Sequence, residues 1–352
     1  VWLRSCGPAS ALRPPWEAPR SYRMAGVWDA LPPQVCPLAL GLIGLSGCLG
    51  HWARLFETNL APLPLTCAQL SASLLAAYAM KAVLAPGAVV RDASEPGTLS
   101  ALSTGPAALQ AAAVRLVGPL APLATQAAVL LCCSTSLLIT GRFVMLCFRR
   151  GARPDPSWFP AMLMSGMTIS TSFSAGPVWL KPFTDQLFWV MLSIYWPLKM
   201  AVAYRMLASP NRVAVAPNAG MNALMAPASF YTVVHLSSGK PGGDIYGLAL
   251  FADSTAFCLV TMCLLYVRRA AWTSTFHPSY VAFTFPFSAT ATAAVLAAER
   301  LPSVSWPLIW SWATFLTVVA TVANLAVLIR LLWHMRGLAA AAGPVDKVEK
   351  SE

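Results

Sequence analysis

The chain has 352 residues, 57% of them hydrophobic and only 11% charged, with a net charge of +11. Soluble domains carry about 25% charged residues, so this composition excludes a water-soluble globule of this size and points to a membrane. The positive charge does not point to nucleic acid, because the basic residues sit between apolar runs and not along one stripe interleaved with aromatics.

Residues 1–23 hold Arg4, Arg13, Arg20 and Arg23 against one acid, Glu17, and residues 1–33 are expected to form a basic, disordered leader, with Met24 a candidate start. Apolar stretches then recur at about the twenty residues needed to cross roughly 30 Å of hydrocarbon. Their pattern predicts helices at 36–55, 65–86, 98–115, 118–142, 157–176, 183–207, 217–238, 244–268, 277–298 and 304–334. The third is rich in small residues and interrupted by Gly105 and Pro106. Residues 34–336 thus read as one all-α membrane domain of ten transmembrane helices in five helical hairpins, followed by a charged tail at 337–352.

Lysine and arginine give a topology. With a cytoplasmic N-terminus, nineteen fall in inside segments, among them Lys81 and Lys199, and five outside: Arg54, Arg115, Lys181, Lys240 and Arg300. Excess basic charge marks the cytoplasmic side, so both termini are expected there. The plasma membrane is the default location, with an organelle membrane left open by the basic leader.

Pro37, Pro106, Pro160, Pro227 and Pro286 fall in the first, third, fifth, seventh and ninth segments, spaced by 69, 54, 67 and 59 residues. A proline inside a helix removes a backbone hydrogen bond and bends the axis. Five bent helices around a centre, with five straighter ones outside, is the arrangement this predicts. The same odd segments carry neutral polar stripes. Ser165, Thr168 and Ser172 lie on one face of the fifth, and Asn222, Ser229 and Thr232 on one face of the seventh. Phe285, Ser288 and Thr292 repeat the spacing in the ninth. Such hydroxyls serve helix packing or line a path that holds an anion weakly enough to release it.

Asp253 in the eighth segment is the one acid expected well inside a span. It is a candidate for ion coupling, an acid paired within the outer helices, or an acid near the extracellular interface. Zinc-protease, phosphate-loop and nucleophile-elbow motifs are absent from the sequence. No enzyme activity, cofactor or metal is expected.

Four segments carry a resemblance: "CPLALGLIGLSGCLGHWAR" (36–54), "DPSWFPAMLMSGMTIS" (155–170), "LMAPASFYTVVHLS" (224–237) and "HPSYVAFTFPFSATATAAVL" (277–296). In order and spacing they resemble the first, fifth, seventh and ninth helices of the tellurite-resistance/dicarboxylate transporter family. That family includes bacterial tellurite-resistance proteins, yeast malate permeases and the slow-type anion channels of plants. The resemblance implies a homotrimer in which each protomer has its own pore of five odd helices. It also implies a phenylalanine plug on the ninth helix, matching Phe285, with Phe283 its near neighbour in the match. Phe287 after Pro286 departs from the smaller residue usual there, and Asp253 has no counterpart. The expected function is passage of small inorganic or organic anions across the bilayer through a phenylalanine-gated pore. The alternative is a proton-linked carrier of C4-dicarboxylates such as malate, or of sulfite. A non-conducting sensor or scaffold is a third reading, for which the predicted soluble parts are short.

Overall fold

The computed structural model describes residues 27–56, 62–171, 176–208, 225–238, 243–267, 278–301 and 306–342. These are helical, with no strand among the described residues. In chain order the α-helices are α1 (Val27–Ala30), α2 (Val35–Leu55), α3 (Pro62–Leu84), α4 (Pro86–Asp92), α5 (Pro96–Leu102), α6 (Thr104–Leu116) and α7 (Pro122–Arg150). Then follow α8 (Trp158–Thr171), α9 (Lys181–Ala208), α10 (Ala226–Ser238), α11 (Gly243–Val267), α12 (Thr284–Arg300) and α13 (Trp306–Ala342). Short 3-10 turns at Val178–Leu180 and Pro278–Phe283 lead into α9 and α12.

Seven segments among the described residues are long and apolar enough to cross a membrane. This is an all-α, multi-pass membrane protein. The seven divide by burial. The spans at Tyr280–Arg300 and Val35–Leu55 are 94% and 61% buried within the protein, whereas the other five are 17–33% buried. All fifteen residues from Thr284 to Ala298 are buried, so α12 is covered on every side. The outer helices instead turn Leu131, Leu138, Val322, Ile329 and Trp333 outward. Apolar faces of this extent belong in lipid.

Neighbours in space follow a circuit. α2 packs on α6, α6 on α8, α8 on α10, α10 on α12, and α12 back on α2. α3 lies against α2, α7 against α6 and α8, α9 against α8, α11 against α10 and α12, and α13 against α12 and α2.

The five prolines take a different place from the one expected. Pro37, Pro106, Pro160 and Pro286 are each the third residue of their helix, and Pro227 is the second. The first-turn amides of a helix have no partner within it, so proline starts a helix there at no hydrogen-bonding cost. The axis breaks before the proline. In the third segment the break falls at Ser103, between α5 and α6, and in the ninth the 3-10 turn precedes α12. The interior proline is Pro197, in the outer helix α9.

α2 and α12 approach closely through glycine. A Cβ on Gly41 would stand 2.6 Å from Thr284 Cβ and 2.7 Å from Asn324 Oδ1, whereas one on Gly47 would meet nothing within 4 Å. Overpacking a tight contact costs about 1–3 kcal/mol. Gly41→Ala should therefore lower the thermal unfolding midpoint of the detergent-purified protein, and Gly47→Ala should leave it in place. α7 ends at Gly151, whose φ of 56° is the left-handed cap conformation that glycine adopts freely.

Two lysines read as topology signals are buried. Lys81 Nζ lies 2.7 Å from Asp92 Oδ2 and donates to the Leu31 carbonyl at 2.7 Å, while Tyr78 donates to Asp92 at 2.8 Å. This group ties α3 to α4 and to the chain just before α2.

Candidate functional site

A buried apolar cluster joins the circuit helices. It draws Leu40 and Ile43 from α2, Ala108 from α6, Leu163 from α8, Tyr231 from α10 and Phe285 from α12, along with Ala68 of α3, Phe188 and Tyr195 of α9 and Leu250 of α11 from the outer helices. All five proline-started helices contribute. Phe285 is 8% exposed, and its ring lies 5.9 Å from that of Phe230 on α10. Phe283 and Phe287 belong to a second cluster, where Phe287 and its neighbours meet Ile309, Ala313 and Leu316 of α13. The Phe283 ring lies 6.2 Å from Tyr280. Of the two phenylalanines the match offered, Phe285 is the one in the cluster that all five circuit helices share.

The polar stripes divide. Thr168, Thr232 and Thr292 each donate to the carbonyl four residues earlier in their own helix, at 2.6, 2.8 and 2.8 Å. Threonine in an apolar helix satisfies itself this way. Ser229 reaches sideways as well: its Oγ lies 2.5 Å from Ser254 Oγ on α11 and 2.7 Å from Thr290 Oγ1 on α12. Ser288 meets Asn324 of α13, whose Nδ2 is 2.9 Å from Ser288 Oγ. The Ser165 side chain, Ser172 and Asn222 lie outside the described residues.

Charge collects at one end. Arg54 of α2, Arg115 of α6 and Arg300 of α12 all sit at the C-terminal ends of their helices. These ends meet. A Cβ on Gly50 would stand 2.3 Å from Arg115 Nη2, Arg300 Nη1 donates to the Leu236 carbonyl of α10 at 2.5 Å, and His51 Nδ1 lies 3.2 Å from Glu299 Oε2. Among the described residues of the five circuit helices Glu299 is the one acid, so the rim is positive. Cations at helix C-termini also complement the helix dipole.

Asp253 is not on the circuit. It lies on α11, ion-paired with Lys199 of α9, and accepts a hydrogen bond from Tyr195 at 2.8 Å. Of the three placements open from sequence, pairing within the outer helices is the observed one. The Lys199 side chain is 3% exposed, and its Nζ lies 3.5 Å from the Phe257 ring centroid and 5.0 Å from that of Trp196. Sequence reasoning took this lysine and Lys81 for topology signals and missed Asn324. A cation four residues after a tyrosine in an apolar run was the available signal for Lys199.

No family model and no curated protein matches the chain. What the arrangement offers chemically is therefore read from its own residues: an apolar cluster shared by the circuit helices, a basic rim at one end, and buried hydroxyls on α10 and α12.

Proposed function

We propose that the protein passes small anions across the membrane along the centre of the circuit α2–α6–α8–α10–α12, and that Phe285 occludes this path. The observation that carries the reading is the place of Phe285, inside a cluster to which every one of the five helices contributes. An apolar constriction stops ions by excluding water, and conduction needs only weak contacts beyond it. The basic rim supports an anion in preference to a cation, since a like-charged mouth raises the local concentration of its counter-ion.

In this reading α5 and α6 together form the third transmembrane segment. Each circuit helix pairs with the outer helix that follows it, so the chain makes ten spans in five hairpins. The ordered likeness of 36–54, 155–170, 224–237 and 277–296 to the tellurite-resistance/dicarboxylate transporter family supports the same arrangement. With it come three copies per assembly, each with its own path.

The deciding experiment is current through purified protein in planar bilayers, wild type beside Phe285→Ala, in asymmetric chloride, nitrate and malate. Anion-selective current from the variant, far above wild type, is the expected result. Silence from both overturns the reading. The rim makes a separate prediction: in the Phe285→Ala background, Arg115→Gln with Arg54→Gln should reduce chloride current at low salt and converge on Phe285→Ala alone near 1 M, where the screening length is about 3 Å.

A second reading keeps one observation of its own. Ser254, next to Asp253, bonds Ser229 on the circuit helix α10, which links the buried ion pair to the centre. A proton-linked carrier of malate or sulfite could use that link. Malate uptake driven by a pH gradient, in protein that carries no current, would favour it.

A further inference from the structure

α13 is a long apolar helix, yet it buries an asparagine completely. Asn324 Nδ2 donates to the Ala320 carbonyl at 2.8 Å and to Ser288 Oγ at 2.9 Å, while Oδ1 has no partner among the described residues. The orientation of the amide follows from its neighbours. The Ala320 carbonyl can only accept, so the nitrogen must face it, and the same nitrogen faces Ser288. Ser288 Oγ is therefore the acceptor in that bond. An unpaired buried acceptor is unfavourable, and leucine would fill the same space without one. The cost of keeping asparagine here is offset only if its donor does something leucine cannot.

Ser288 is the exception among the hydroxyls of its helix. Thr284 donates to the Val281 carbonyl, Thr290 to Pro286 and Thr292 to Ser288. Among the described residues Ser288 finds no acceptor for its hydroxyl, and the side-chain bond it makes is received from Asn324. A serine in an apolar helix ordinarily folds its proton back onto the preceding turn. Here the bond from α13 holds the oxygen from outside, which turns the O–H away from α13. Close to Ser288 stand also Phe285, one turn earlier on α12, and Gly44 of α2. A Cβ on Gly44 would lie 3.2 Å from Ser288 Cβ and 3.9 Å from Phe285 Cδ2.

We infer that Ser288 is a hydrogen-bond donor to the permeating anion beside the Phe285 plug, and that Asn324 is the positioning residue that keeps this donor turned inward. The inference rests on the anion-path reading above and names the contact that path uses. Its ligand class is a small, partly dehydrated anion such as chloride. A strongly hydrated anion depends more on a protein donor than a weakly hydrated one, so the contact favours chloride relative to nitrate.

The test measures the nitrate-to-chloride permeability ratio from reversal potentials, with Phe285→Ala as the conducting parent. Ser288→Ala should raise the ratio about fivefold, because a hydrogen bond to a charged group is lost for both anions and only the difference between them enters the ratio. Asn324→Leu should raise it in the same direction, because the freed serine folds back onto its own helix. Both together should give no more than Ser288→Ala alone, since the asparagine acts only through the serine. A merely structural asparagine would change the amount of assembled protein and leave the ratio fixed. Additive shifts, or a ratio unmoved by Ser288→Ala in a conducting parent, would overturn the inference and leave the anion path standing. A silent parent overturns both. If Asn324→Leu fails to assemble, Ser288→Ala decides alone, for it removes one oxygen and creates little space.

Discussion

Phe285→Ala should raise the single-channel anion conductance by about tenfold or more while making the protein less stable. The two effects have one cause. Phe285 is buried in a cluster to which all five circuit helices contribute, together with residues of α3, α9 and α11, and its ring lies against Phe230. Truncating a buried phenylalanine costs about 3–5 kcal/mol in lost burial and residual cavity. Where the cavity lies on the path, the same lost volume admits water and with it the ion. A rise in conductance alongside a fall in the unfolding midpoint cannot come from general damage, which lowers both. Phe285→Leu should fall between the two proteins, and Phe230→Ala should open the path less because the plug itself remains. Phe283→Ala is the control. Its ring packs on Tyr280 in the other cluster, so its removal should destabilise without conducting. Planar-bilayer recordings beside thermal melts in detergent check all four. A conducting Phe283→Ala with a silent Phe285→Ala would move the plug two residues.

The spans were largely legible because burial in lipid demands long apolar runs, and a run such as 183–207 announces itself in any window. It is observed as Lys181–Ala208. The even spacing of five prolines was legible too, but their role was not. Whether a proline bends a helix or begins it depends on a boundary two or three residues away, which hydropathy does not resolve. Ser103 breaks the third segment ahead of the Gly105–Pro106 pair that the sequence offered as the interruption. Pairings were harder still. Lys199 and Asp253 are 54 residues apart, so neither announces its partner, and each alone reads as a topology signal or a coupling site. The hydroxyl stripes were visible as spacing, yet a stripe does not tell a threonine bonded to its own helix from a serine held by a neighbouring one. Only the position of Asn324 makes that distinction for Ser288.

Asp253→Asn should be the most damaging single substitution outside the centre. It leaves the Lys199 ammonium inside apolar surroundings, with Phe257, Trp196 and Tyr195 about it and no carboxylate. Breaking a buried pair from one side typically costs about 3–5 kcal/mol, whereas replacing both partners with apolar groups is often neutral. Lys199→Met alone should be harmful for the converse reason, since it strands the carboxylate with a single hydrogen bond from Tyr195. Lys199→Met with Asp253→Leu should therefore recover much of the assembled, monodisperse protein that either single variant loses. The recovered double variant also separates the two functional readings. If the pair only clamps α9 to α11, anion current in the Phe285→Ala background will match that of the parent at every pH. If the double variant assembles but loses a pH-dependent uptake that the parent shows, the ion pair moves protons, and the link through Ser254 and Ser229 becomes the route by which they reach the path.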